Sequence, residues 1–222
     1  MDKKAILKHI DHTLLKPFST WDDIKALCDE AVEYSTASVC IPQTYIKRVK
    51  DTYGDKLNVC TVVGFPLGYN STESKVSEIK TALADGAGEI DMVINISDVK
   101  NGDYKKVEDE IRALKSATGN KVLKVIIETC YLTKEEKIEM CKAVTNAKAD
   151  YIKTSTGFGT DGAKMEDILL FKENIGPDVK IKAAGGVRTV DDLVAFIEAG
   201  CDRIGTSSAV KLLKGQTNEG EY

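Results

Sequence analysis

The sequence predicts a single-domain (β/α)8 barrel, a TIM barrel in which eight parallel strands alternate with helices. Three observations carry that prediction. Short runs rich in Val, Ile and Thr alternate from end to end with longer runs of helical periodicity, and such alternation joins parallel strands through crossovers. The strand runs begin roughly every 20 to 33 residues, so eight units fill the 222 residues with no linker or break in composition. Charged residues also recur inside strands that flanking helices should bury on both faces. A doubly wound open sheet satisfies the same alternation, and periodicity alone does not separate the two.

A short helix precedes the first and weakest strand candidate, IDHTLL from Ile10. Thr20 then caps a helix running through Ala31, followed by the strands ASVCI from Ala37 and LNVCTVVGF from Leu57. Val76, Ile79 and Leu83 share one helical face, with Gly86 as the stop. EIDMVIN from Glu89 leads to a stripe of Tyr104, Val107, Ile111 and Leu114 that ends before Gly119. After VLKVIIET from Val122, Thr133 and Glu136 have capping-box spacing, and Ile138, Cys141 and Val144 face inward. YIKTST from Tyr151 precedes a helix over Ala163 to Asn174, and VKIKAAG from Val179 precedes Val190, Leu193, Val194 and Ile197 ahead of Gly200. RIGTS from Arg203 is the eighth strand, and residues 215–222 carry no pattern and read as a mobile tail.

Composition narrows the function classes. A net charge of −4, from 31 Lys plus Arg against 35 Asp plus Glu, offers no basic excess for a nucleic-acid backbone. Aromatic residues make up 6%, little for base stacking or a membrane belt. The apolar runs are far too short to span a bilayer, and no signal peptide opens the chain, so a cytoplasmic protein is expected. The six cysteines form no CxxC pair, and both histidines, His9 and His12, lie near the start. Neither a disulfide framework nor a zinc site is expected.

The informative residues are polar ones in strands. Period-two alternation puts Glu89, Asp91 and Asn95 on one face of EIDMVIN, opposite Ile90, Met92 and Ile94. Lys153 faces with Tyr151 and Ser155, and Lys182 with Lys180 and Ala184. In a barrel covered by helices that face is the interior, where two lysines and a carboxylate are costly unless they pair. Desolvation and a neighbouring cation both favour the neutral amine, which attacks a carbonyl to form a Schiff base. The iminium then draws electrons from an adjacent C–C bond, with a carboxylate relaying protons. Parity does not say which lysine is the nucleophile. AAGGVRT from Ala183 and IGTSSA from Ile204 each follow a strand and precede a helix, where glycine-rich backbone and a helix dipole favour an anion. Loops at the last two strand ends of this fold often hold phosphate.

Taken together, IDHTLLKP, ASVCIP, VCTVVGFPLG, GAGEIDMVIN, KVIIET, YIKTSTGFG, IKAAGGVRT and IGTSSA resemble the deoxyribose-phosphate aldolases over nearly the whole chain. The resemblance implies a class I aldolase that interconverts 2-deoxy-D-ribose 5-phosphate with D-glyceraldehyde 3-phosphate and acetaldehyde, without metal or organic cofactor. It implies that Lys153 forms the Schiff base, that Lys182 perturbs it and shares in proton transfer, and that Asp91 works in a water-mediated relay. Phosphate is implied on backbone groups around Gly157, Gly185 and Gly186, with Ser207 and Ser208. Asp11 and Thr13 match an early polar motif of the substrate pocket. Cys40 matches a cysteine that reacts with a condensation adduct of the aldehyde product, and an inert barrel thiol is its other reading. Some relatives carry lysine where this chain has Phe158, a lost cation for which Arg188 stands close in sequence. Tyr222 matches a terminal tyrosine implicated in proton transfer at the enamine carbon. The resemblance also implies a homodimer with small phosphorylated sugar and aldehyde substrates. Two alternatives remain: a phosphosugar isomerase or epimerase using Asp91 as base, and a non-catalytic phosphometabolite-binding barrel.

Overall fold

The computed structural model describes residues 1–215. Eight strands, β1 (Ile10–Thr13), β2 (Ser38–Cys40), β3 (Val59–Val63), β4 (Glu89–Val93), β5 (Val122–Ile126), β6 (Tyr151–Lys153), β7 (Lys180–Ala184) and β8 (Arg203–Thr206), close into one barrel in chain order. Every neighbouring pair is parallel, and β8 returns to β1 with Asp11 opposite Gly205. Closure decides between barrel and open sheet in favour of the barrel, because no strand is left with a free edge.

Helices α1 (Lys3–Leu7), α2 (Trp21–Tyr34), α3 (Ile46–Tyr53), α4 (Thr72–Ala84), α5 (Ile96–Lys100), α6 (Tyr104–Thr118), α7 (Lys134–Asn146), α8 (Met165–Asn174), α9 (Val190–Ala199) and α10 (Ala209–Leu213) surround it. Several of their starts are set by side chains that satisfy free backbone donors. Thr20 with Asp23, Thr133 with Glu136 and Thr189 with Asp192 all form capping boxes. α2 runs past Ala31 to Tyr34, where Ser35 takes the left-handed conformation that stops it. α8 begins at Met165 rather than Ala163, because Lys164 is still extended, φ −120° and ψ 146°.

The main core lies between barrel and helices. Val39, Val63, Ile90, Met92, Leu123, Val125, Ile152, Ala183 and Ile204 point outward from the strands and are fully buried. Each large apolar side chain among them contributes roughly 1.5–3 kcal/mol. Alternation then leaves the other face of the strands pointing inward, and that face is charged. Asn95 departs from the expected alternation: β4 stops at Val93, and the Asn95 side chain accepts from the Ser97 N–H to cap α5. It therefore does not stand beside Asp91.

Candidate active site

Asp91, at the middle of β4, is the hub of the barrel interior. Its Oδ2 accepts from Lys153 Nζ and Lys182 Nζ, each at 2.7 Å. Its Oδ1 accepts from Lys124 Nζ at 2.9 Å and from the Cys60 thiol at 3.1 Å. Asp11 on β1 pairs with Lys182 at 2.5 Å and with Arg203, and accepts from Ser38 Oγ at 2.7 Å. Glu89 pairs with Lys124 at 2.5 Å and with Arg203 at 2.9 Å, and takes Asn58 Nδ2 at 2.7 Å.

The sequence reading expected two lysines and one carboxylate inside. The barrel holds three lysines, Arg203 and three carboxylates. Lys124 and Arg203 were legible by the same rule, since Lys124 alternates with Leu123 and Val125 in a central strand. Gly205 gives Lys182 its room, because a Cβ there would lie 3.2 Å from Lys182 Cε.

Electrostatics follow from this packing. Burial works against ionisation of Asp91 and Asp11, but the surrounding cations outweigh it and hold both carboxyls below their ordinary range. Burial likewise works against charge on Lys182 and Lys124, yet the carboxylates win and raise both above the ordinary lysine range. Lys182 is thereby locked as a cation beside Lys153. Among these basic groups Lys153 has the fewest anchors: among the described residues it pairs with Asp91 alone, at the C-terminal end of β6. Four cations face three carboxylates, so one amine can shed its proton without leaving a carboxylate unpaired. Cys40, Cys60 and Asp91 bring potential metal donors within 4.8 Å of one another. Three ammonium groups already occupy Asp91, however, and compete with any cation there.

Around the mouth, Thr13 is buried and its hydroxyl donates to the Asp11 carbonyl at 2.7 Å. Cys40 lies against Cys60, Leu15 and Phe65 in a small cluster inside the barrel. The loops after β6 and β7 cross in close contact. Gly157, Gly185 and Gly186 all have positive φ, and a Cβ on Gly162 would lie 2.5 Å from the Gly185 carbonyl carbon. Ser208 is buried beside Thr206, with the two hydroxyls 3.0 Å apart, and Ser207 is exposed. Phe158 is 44% exposed and meets Phe65 edge-on at 5.3 Å, so an apolar wall stands at the position of the missing lysine. Arg188 is exposed.

One expectation at this end needs correction. The α9 N-terminus was expected to attract the anion, but the Asp192 carboxylate already accepts from the Arg188 and Thr189 N–H groups. A carboxylate in that place opposes a second anion. Glu128 was not anticipated at all. It holds a left-handed backbone, φ 52°, and its buried carboxylate accepts from the Thr156 N–H at 3.1 Å and from the Thr156 hydroxyl. It anchors the loop that carries Gly157. Tyr222 lies outside the described residues.

Such a barrel, with a buried amine and a carboxylate hub under the C-terminal loops, belongs to the class of (β/α)8-barrel enzymes that work at strand ends. The profile of the DeoC/LacD family aldolases matches residues 4–213. A deoxyribose-phosphate aldolase of Clostridium botulinum (strain Alaska E43 / Type E3) is 72% identical over 220 residues, spanning 99% of this chain and 100% of that one. One of Clostridioides difficile (strain 630) is 59% identical, over 96% and 97% of the two chains. The tetrameric deoxyribose phosphate aldolase structure from Aeropyrum pernix superposes with a TM-score of 0.86 at 32% identity, over 96% and 92%. The chain belongs to the DeoC/LacD aldolase family and is an aldolase, a carbon–carbon lyase.

Proposed function

We propose that this aldolase interconverts 2-deoxy-D-ribose 5-phosphate with D-glyceraldehyde 3-phosphate and acetaldehyde through a Schiff base on Lys153. The observation that carries the reading is the single Asp91 oxygen shared by Lys153 and Lys182. The deprotonated Lys153 amine attacks C1 of the open-chain sugar and loses water to give an iminium. Asp91 and Lys182, through water, take the proton of the C3 hydroxyl as the C2–C3 bond breaks. Glyceraldehyde 3-phosphate leaves, and the enamine of acetaldehyde remains on Lys153. Protonation at C2 and hydrolysis release acetaldehyde, with Tyr222 as the proposed proton donor. The iminium is itself the electron sink.

Phosphate recognition is assigned to backbone groups at Gly157, Gly185 and Gly186, with Ser207 and Ser208. The close crossing of the two glycine loops, with Gly157, Gly185 and Gly186 all at positive φ, supports this. Thr13 and Asp11 form the floor and wall for the sugar. The six unbridged cysteines suit a reducing, cytoplasmic setting, and a homodimer is the assembly we infer, to be tested by light scattering.

Acetaldehyde followed by borohydride tests the chemistry. An ethyl adduct mapped to Lys153 is expected. An unmodified Lys153 in protein that still turns over phosphosugar would overturn the reading in favour of an isomerase or epimerase with Asp91 as base.

A further inference from the structure

The barrel interior contains one pair of nucleophiles that the aldol reaction does not use. Cys40 on β2 and Cys60 on β3 are direct register partners, and both side chains are fully buried. Their sulfurs and an Asp91 carboxylate oxygen all lie within 4.8 Å of one another. Adjacent strands run about 4.8 Å apart, within the Cα separation of about 4.4–6.8 Å that a disulfide tolerates. Cys60 also touches the catalytic cluster directly: its thiol donates to Asp91 Oδ1 at 3.1 Å, and Lys124 Nζ donates to its sulfur at 3.3 Å.

We propose that Cys40 and Cys60 are a modification site, joined by peroxide into a reversible disulfide that switches the aldolase off. The Cys60 thiol beside it, together with Lys182 and Lys153, holds the Cys40 thiol below its ordinary range, whereas burial raises Cys60. Cys40 is therefore the attacking sulfur and Cys60 the resolving one. Cys40 loses its thiol proton and the thiolate attacks one peroxide oxygen; an S–O bond forms, the O–O bond breaks, and the leaving hydroxide takes up that proton as water. Cys60 then gives up its thiol proton and attacks the sulfenic sulfur. The S–S bond forms as the S–O bond breaks, and the departing hydroxide takes up that proton as a second water. Two thiols are oxidised and one peroxide is reduced. The cross-link removes the thiol donor from Asp91 and the acceptor from Lys124, so the carboxylate that positions Lys153 shifts. Both sulfurs are closed to bulk solvent; the proposed oxidant is therefore as small as hydrogen peroxide, and one the size of glutathione disulfide is excluded.

The test is peroxide titration of the full chain with parallel assay and non-reducing peptide mapping. Fragment ions are needed to separate Cys40 from Cys28, which shares its tryptic peptide. The expected result is a Cys40–Cys60 link rising in step with a loss of turnover of about a hundredfold, restored by dithiothreitol, while glutathione disulfide has no effect. A link that forms with activity intact, or inactivation without the link, overturns the proposal. Cys60→Ser preserves a hydroxyl donor toward Asp91 but removes the resolving sulfur. In that variant peroxide should carry Cys40 to the sulfinic acid, and dithiothreitol should no longer restore activity; full recovery would overturn the resolving role. Cys130→Ala should leave the wild-type redox response unchanged, and loss of the response there would also count against it. The mapped link is read independently of which sugar the enzyme cleaves.

Discussion

Lys153 and Lys182 donate to the same oxygen of Asp91, each at 2.7 Å. One carboxylate oxygen cannot fully serve two ammonium groups, and the two do not compete equally. Lys182 has Asp11 as a second partner at 2.5 Å, whereas Lys153 has Asp91 alone. Lys153 is therefore the less firmly held of the two amines, and Lys182 stands beside it as a doubly paired cation.

Lys153→Met should remove the proposed nucleophile and reduce kcat by at least about 10⁴-fold. Folding should survive, because the remaining three cations match three carboxylates. Borohydride trapping and calorimetry check both halves, and a variant that keeps substantial turnover would count against the Schiff base.

Lys182→Leu should behave differently. It leaves Asp11 and Asp91 each short of a buried partner, so stability should fall by about 3–5 kcal/mol. Turnover should fall by about 10²–10⁴-fold with the loss of its proposed part in proton transfer. Denaturant unfolding beside steady-state kinetics separates the two effects, since a purely structural lysine would lower stability and leave kcat of the folded fraction unchanged.

The same cluster sets a pH window for stability. Asp91 and Asp11 have folded pKa values below the ordinary 3.8, so their contribution is present above that value and is lost as pH falls through the folded values. Lys124 and Lys182 are raised above 10.5, so theirs is present below that value and is lost as pH rises through the folded values. Tm should hold between these limits and decline on both sides. Asp91→Asn should flatten both declines; unchanged slopes in that variant would assign them to other groups.

Glu128→Ala frees the Thr156 N–H and hydroxyl. A buried hydrogen bond to a charged group contributes about 1.5–3 kcal/mol, so KM for the phosphorylated substrate should rise roughly tenfold or more. An unphosphorylated aldehyde acceptor should be less affected if Glu128 acts through the phosphate loop.

Gly162→Ala places a methyl group 2.5 Å from the Gly185 carbonyl carbon and must push the two loops apart. The expected outcome is a raised KM for phosphorylated substrates with Lys153 trapping by acetaldehyde retained. Equal loss of both would show that the crossing supports the barrel as a whole.

Much of the site was legible from residue order. Alternation places Asp91, Lys153 and Lys182 on inward faces, and the same signal marks Lys124 in VLKVI. Asn95 was misplaced because alternation holds only while the strand lasts, and β4 ends two residues before it. The helix start at Thr189 was read as open to an anion because capping by Asp192 uses the very donors that a ligand would need.

Local periodicity and composition by themselves determined the alternating architecture and the inward direction of the central charges. Each depends on spacing along a few residues, which the chain carries explicitly. Only closure of eight strands decided that Asp91 meets three lysines at once, that Cys40 stands opposite Cys60, and that Lys153 is left with a single partner. Those relations join residues from different strands across one interior. Their energies depend on distances of a few ångströms in a medium without water, which no one-dimensional pattern encodes.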